Sequence, residues 1–344
     1  MKRIELWLMR HETLYFIVKS LIYILRGNKE YIHSCAYMKD NPDMLHLYHY
    51  GNENSGKIIY HITERGNGYG FFAEFKAVLE ELLYAERMGF APVVTFGKDF
   101  LYYDEELSIT TDNAFCYFFE PVGEEKNLEN SMNVVMAREC HCKYIEDLYG
   151  ATGYSIPLEL QTELVRILSR YIKIKNGLCI EFDTMFREIF PDENILGVHY
   201  RGTDFKKGYY NHPVAVSLEQ LISEVKEVFE QGNFAYIFLA TDVDGTLDAL
   251  KKEFGDCVRQ FQDVYRGDSD VSVAFSKSDR TRHHYRLGIE VLRDAYALSR
   301  CQGLVAGLSQ VSFSSRLLKM GRGEMYRSMR IINNGINKDK RMFH

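Results

Sequence analysis

Between residues 195 and 320 the chain alternates short apolar runs with amphipathic stretches at helical spacing, and this restricts the fold more than any other feature. The run "ILGV" (195–198) reads as a strand buried on both faces, the kind that parallel sheets enclose. Ser217 with Gln220 three residues on is a capping-box pattern, Leu218, Leu221, Ile222, Val225, Val228 and Phe229 share one helical face, and Gly232 is a stop. A strand "YIFLATD" (236–242) follows, then a helix through Leu247, Leu250 and Phe254 closed by Gly255, and a weaker strand near 258–263. After a polar loop at 265–284 come a helix near 286–300, a strand "GLVAG" (303–307) and a last helix from about 310. Strand–helix alternation of this kind predicts an α/β fold with a parallel sheet covered by helices on both faces.

The first half opens the same way. "KIIYHI" (57–62) and "APVVTF" (91–96) are strand patterns, with Gly66-Asn67-Gly68-Tyr69-Gly70 and a long helical pattern through Leu79, Leu82, Leu83 and Met88 between them. "LELQTELVRILSRYIKI" (158–174) is amphipathic, and Pro191-Asp192-Glu193-Asn194 supplies turn residues just before the strand at 195. A length of 344 residues fits two domains, so the boundary is placed there, giving 1–190 and 191–344. Seven cysteines without regular spacing predict free thiols in a reducing compartment. Cys140-His141-Cys142 is the one cluster worth testing for metal, but a structural zinc site wants a second ligand pair, and none is visible.

The net charge of −6 is unevenly spread. Residues 1–30 carry +3, residues 316–344 carry +6, and the body between them −15. The basic ends are therefore the candidates for an anionic partner, with phospholipid head groups expected and nucleic acid not. "LYFIVKSLIYIL" (14–25) is too short to span a bilayer and is followed by no small-residue cleavage site. Two readings remain open for it, an interfacial helix beside basic residues or, favoured, a core element of the first domain.

Ligands of open α/β sheets sit beyond the carboxyl ends of the strands. His199, Arg201 and Asp204 leave the first strand of the second half at that edge, Asp242 leaves the next, and Ser309 and Gln310 follow the last and open a helix. The guanidinium of Arg201 matches phosphate oxygens, and so do the free N–H groups of a helix start, which together suggest a diphosphate. The alternative for these residues is structural, with Arg201 paired to Asp204 and Ser309 as a helix cap. Asp294 lies on the stripe of Val291, Ala295 and Leu298, and a carboxylate on a buried stripe needs hydrogen-bond donors. Guanine offers two adjacent donors; a buried arginine or a free backbone amine would serve equally.

In its second half the chain resembles the superfamily of GDP-fucose-dependent fucosyltransferases that includes the α1,6-fucosyltransferases, the nodulation fucosyltransferases and the protein O-fucosyltransferases. The stretches that carry the likeness are "GVHYRGTDF" (197–205) with His212-Pro213 after it, "IFLATDVDG" (237–245) and "LRDAYALSRCQGLVAGLSQVSFSSRLLKM" (292–320). In the first half the likeness rests on the glycine loop and its helix, and more weakly on "NAFCYFFEP" (113–121). The resemblance implies a GT-B-like architecture, two Rossmann-like domains facing across a cleft, with an acceptor-side first domain and a second that holds the GDP-sugar. It implies that His199 and Asp294 contact guanine, Arg201 the β-phosphate, and Ser309 and Gln310 the phosphates or ribose, with Gly68 and Gly70 approaching the donor from the other side. Asp242 is counted with the donor site. The implied reaction moves L-fucose from GDP-β-L-fucose to a glycan or glycolipid with inversion and without metal or other cofactor.

One cation about 4 Å from the leaving diphosphate is worth roughly 4 kcal/mol at an effective dielectric near 20, and Arg201 is placed to supply it. Asp242-Val243-Asp244 as a metal-binding pair is the weaker reading, because Asp is common where a strand hands over to a helix. The sequence departs from the pattern at Gly202, where the family has a second arginine, and in "FKKGYYNHP" (205–213), which lacks the acidic residue of the α1,6 enzymes. Asp204 is the candidate base, with a loop-holding role as its alternative. Tyr209, Tyr210, Phe71 and Phe72 are candidates to stack on acceptor sugars.

Two rival functions remain. Gly68 to Ala73 fits G-x-G-x-x-A between strand and helix, which would make an NAD(P)-dependent enzyme with Asp99 on the ribose. A nucleotide-sugar-binding protein without transferase activity is the other. The expected setting is a bacterial cytoplasm, at surface-glycan precursors, with the basic ends against the inner face of the membrane.

Overall fold

The computed structural model describes residues 14, 17, 18, 21, 25, 47–66, 68–191, 194–203, 207–267 and 271–338. Two wholly parallel sheets organise them. In the first, β1 (Ile59–Ile62) is central, with β2 (Ala91–Val94) on one side and β3 (Val134–Met136) on the other. Helix α1 (Phe71–Met88) connects β1 to β2, making the expected βαβ unit. Gly89, at φ 71°, ends α1 in the left-handed conformation that glycine adopts without a Cβ penalty. Helices α2 (Glu139–Leu148), α3 (Leu158–Tyr171) and α4 (Asn176–Ile189) complete this half.

The second sheet contains β4 (Ile195–Tyr200), β5 (Tyr236–Thr241), β6 (Val258–Arg259), β7 (Gly303–Gly307) and β8 (Ser328–Ile332), in the spatial order β6-β5-β4-β7-β8. Helices α5 (Leu218–Gly232), α6 (Thr246–Phe254), α7 (His283–Arg300) and α8 (Gln310–Gly321) alternate with these strands. All six residues of β4 are buried, as its apolar run requires. The strand order reverses between β4 and β7, and that reversal opens a crevice at their carboxyl ends.

The α/β class and the paired parallel sheets are as expected. Individual elements differ. The weak strand at 258–263 shrinks to two residues at the sheet edge, α7 begins at His283, and β8 extends the sheet beyond β7 where no strand is expected. Ser217 caps α5 by accepting from Gln220 N at 3.1 Å, but the Gln220 side chain pairs with Asn334 instead of closing the capping box. The largest core runs through both halves, joining Leu79, Leu160 and Leu164 to Leu292, Phe313 and Leu317.

Several charged side chains of α1 are buried in that core. Lys76 Nζ lies 2.5 Å from Glu80 and 3.0 Å from Glu146, Glu74 holds Arg65, and Glu81 accepts from Tyr60 Oη and, at 3.1 Å, from Cys142 Sγ. His141 Nδ1 lies 2.5 Å from the same Tyr60 hydroxyl, so His141 and Cys142 are core residues. The six described cysteines are free thiols, and no group of three His, Cys, Asp or Glu among the described residues could hold a metal ion.

In the stretch 14–25 the described residues are helical, and Leu14, Ile17, Leu21 and Leu25 are exposed, so the favoured reading of a core element is not what these side chains do. None of the described helices is long and apolar enough to cross a membrane. Asn67, Asp192, Glu193 and most of the basic residues at the two ends lie outside the described residues.

Candidate active site

The crevice between β4 and β7 is a narrow cavity lined by His199 and Arg201 from the end of β4, Asp242 after β5, and Glu290 and Asp294 from α7. Tyr102 enters from the first half, and Val264, Tyr265, Val273 and Ala274 roof the cavity from the long polar loop. The parallel register sets this up, because His199 pairs with Ala240 on one side and Ala306 on the other, whose small side chains leave room beside the imidazole.

Asp294 is 8% exposed and points its carboxylate into the cavity, where no hydrogen bond reaches it from the described residues. Burial pushes this carboxyl up to about 7, against the opposing pull of Arg293 and Arg266. Its neighbours on α7 are committed elsewhere. Arg293 is bidentate to Asp263 at 2.6 and 3.0 Å, while Glu290 accepts from Tyr265 N at 3.1 Å and from Arg280 Nη1 at 2.5 Å.

Arg201 is held away from free solution. Its Nη1 lies 3.0 Å from Asp242 Oδ2 and its Nη2 donates to Ser272 Oγ at 2.9 Å. Asp242 also accepts from Gly202 N at 3.1 Å and Thr203 Oγ1 at 2.7 Å, so it secures the loop after β4. The alternative partner weighed for Arg201, Asp204, lies outside the described residues, as does its role as a base. At Gly202 a Cβ would lie 2.8 Å from both the Tyr200 ring and Val243 Cγ2, so a larger residue there requires those side chains to shift.

His199 is buried, and burial lowers its imidazole to about 4, with Asp242 pulling the other way. It is neutral across the physiological range, and its Nδ1 lies 3.3 Å from Ser309 Oγ. That hydroxyl also caps α8 by accepting from Ser312 N at 3.0 Å. The capping role and the proximity to His199 therefore coexist.

The other expected donor residues are not gathered here. Gln310 lines a separate small cavity with Ser309, and its Nε2 donates to Gly153 O at 2.8 Å across the two halves. Gly68 and Gly70 do not line the Arg201 cavity; Gly70 is the N-cap of α1, and a Cβ at either glycine would meet nothing within 4 Å. Phe71 and Phe72, expected as acceptor platforms, are buried; Phe71 packs edge-on against Tyr102 and Phe118, and Phe72 against Phe75. Both begin an apolar helix face, which decides their position. Tyr210 is exposed, and Tyr209 packs edge-on to His212.

Sequence reasoning missed Tyr102, Glu290, Tyr265 and Ser272. Glu290 was within reach of it, since it lies four residues before Asp294 on the same face. The others come from loops whose course only the folded chain fixes.

The geometry defines an α/β protein with a strand-end cavity that contains a carboxylate unpartnered among the described residues and an arginine latched to Asp242 and Ser272. No protein-family model matches the chain, and a search of curated proteins finds no match. Among solved structures it is similar to the α-1,6-fucosyltransferase NodZ soaked with GDP-fucose, at 18% identity over 76% of this chain and 92% of that one, with a TM-score of 0.46. It is similar at the same identity to NodZ from Bradyrhizobium, over 76% and 92% of the two chains with a TM-score of 0.44. With POFUT1 in complex with GDP it shares 11% identity over 82% of this chain and 99% of that one, with a TM-score of 0.47. Residue roles are not carried across at such identities and rest on this chain's own geometry.

Proposed function

We propose that the chain is an inverting, metal-independent fucosyltransferase that takes GDP-β-L-fucose as donor and a glycan or glycolipid as acceptor. The observation that carries the reading is Asp294, a buried carboxylate with no hydrogen-bond partner among the described residues, in a cavity that also holds Arg201. A native protein tolerates such a group when a ligand satisfies it. Guanine presents N1–H and the 2-amino group side by side, matching the two oxygens. Neutral His199 serves as a further hydrogen-bonding edge, and Arg201 faces the diphosphate.

The cavity has about 80 Å³ of open space, below the roughly 300–1,000 Å³ of typical ligand pockets. Admitting a nucleotide therefore requires the side chains of Val264, Tyr265, Val273 and Ala274 to move outward together with Ser272, so that a phosphate takes the place of the Ser272 hydroxyl on Arg201. In the transfer, negative charge grows on the leaving diphosphate beside Arg201 as the sugar becomes oxocarbenium-like. On this reading residues 1–190 form the acceptor-side domain and 191–344 the donor domain. The exposed face of Leu14, Ile17, Leu21 and Leu25, together with the basic ends, suits peripheral contact with anionic lipid at the inner face of a bacterial membrane.

Calorimetry with GDP, ADP and UDP tests the nucleotide, and release of GDP from GDP-fucose tests the chemistry. GDP should bind at least tenfold tighter than ADP, and Arg201→Ala should slow GDP release by about 10²-fold or more. Equal binding of the three nucleotides would sink the guanine assignment, and GDP binding without turnover would support a binding protein instead.

A further inference from the structure

A second groove, of about 380 Å³, opens at the carboxyl ends of β1 and β2. Thr63, Glu64 and Arg65 line it after β1, and Thr95, Gly97 and Asp99 after β2. Its lining side chains supply two carboxylates, one guanidinium and two hydroxyls. Arg65 is already committed, with Nε 3.4 Å from Glu74 Oε2, Nη2 donating to Ala73 O at 2.6 Å, and its guanidinium 4.2 Å from the centre of the Tyr69 ring.

Glu64 is anchored on one side only. Its Oε2 accepts from Gly97 N at 3.0 Å, and no described residue donates a hydrogen bond to its Oε1. A Cβ at position 97 would lie 3.3 Å from that Oε1, a tight contact that the carboxylate would relieve by shifting a few tenths of an ångström.

The groove and the Arg201 cavity flank the same helix start. Glu74, in the first turn of α1, accepts from Arg65 N at 3.1 Å, and Phe71 N at the head of that turn donates to Tyr102 Oη at 3.0 Å. Tyr102 lines the Arg201 cavity, and Arg65 lines the groove.

We propose that this groove is the acceptor site and that Glu64 takes the proton of the attacking hydroxyl; both statements rest on the donor reading above. The acceptor oxygen forms a bond to the anomeric carbon, and the bond from that carbon to the diphosphate oxygen breaks. Its electron pair leaves with GDP, and the hydroxyl proton passes to Glu64 Oε1. Two carboxylates against one guanidinium that Glu74 already neutralises make the groove repel anions, so the acceptor class is a neutral, hydroxyl-rich saccharide.

The test follows GDP release from GDP-fucose with water and with cellobiose as acceptors, beside calorimetry of GDP-fucose binding. Glu64→Gln should slow release by about 10²-fold or more while donor affinity stays within about twofold. Glu64→Ala should regain part of the lost rate in formate, whose carboxylate stands in for the missing base, a rescue that a merely structural role would not give. Full activity of Glu64→Gln, or the loss falling on Asp99→Asn instead, overturns the assignment of Glu64. Cellobiose should shift the NMR amide signals of Thr95 and Gly97 and galacturonate should not; the reverse, or no shift from either, overturns the saccharide groove. A wild type that does not bind GDP-fucose brings down the donor reading and this proposal with it, and calorimetry distinguishes that failure from loss of the base.

Discussion

Helices α1 and α7 both bury charge, and they treat it in opposite ways. On α1 the charged side chains Glu74, Lys76, Glu80 and Glu81 are satisfied from within the protein, by Arg65, Glu146, Tyr60, Cys142 and one another. On α7, Glu290 and the two terminal nitrogens of Arg293 are paired in the same fashion, while Asp294 faces the cavity with no hydrogen-bond donor among the described residues. Burial alone therefore does not mark a functional group, since Glu80 is buried too and is likewise raised to about 7 by desolvation. What separates the two helices is the partner. A closed network tells of folding, and an open valence in a cavity tells of a ligand.

The contrast breaks most directly at Lys76. Removing it strands Glu80 and Glu146, so Lys76→Ala should lose about 3–5 kcal/mol in chemical denaturation while the folded fraction binds GDP as before. A variant as stable as wild type would show that the α1 network is not what holds these charges.

Asp294→Asn should do the opposite, gaining stability and losing ligand. A carboxyl raised from 3.8 to about 7 lowers stability as pH climbs through that window, by up to about 4 kcal/mol, and no further above it. The variant should therefore be the more stable protein at neutral pH, with its advantage vanishing toward the acid end of the window. GDP binding should weaken about tenfold or more in the variant. If guanine takes the ionised form, wild-type affinity should also fall by about tenfold for each pH unit below about 7. Calorimetry in two buffers of different ionisation heat would detect the released proton. Equal pH profiles for the two proteins would remove Asp294 from the nucleotide site.

The smallest effect belongs to Ser309. Ser309→Ala removes the α8 cap and a neighbour of His199, for about 1 kcal/mol in stability and a modest drop in GDP affinity. A loss in affinity as large as that of Asp294→Asn would promote this hydroxyl from cap to ligand.

Much of the second half was legible because its signals are local. Strand β7 falls on the five residues expected, and α5 and α8 start at the serines that cap them. Asp294 was readable for the same reason, since helical spacing alone puts it on the buried stripe. Gly68 and Gly70 show the limit: the motif fits, but where the loop leads depends on contacts far along the chain. Phe71 and Phe72 show another, because an aromatic pair at a helix start reads the same whether it meets a sugar or a core.

From residue 195 to residue 321, the order of strands and helices, their parallel pairing and the chemistry delivered at the strand ends were determined by the sequence itself, through apolar periodicity and capping residues that act within a few positions. Only the tertiary structure decided that Arg201 is latched to Asp242 and Ser272, that Asp294 has no hydrogen-bond donor among the described residues, and that Glu64 rests against Gly97. Those facts depend on groups tens of residues apart meeting within about 3 Å, and hydrogen-bond partnership at that range follows from the packing of whole elements rather than from any local pattern.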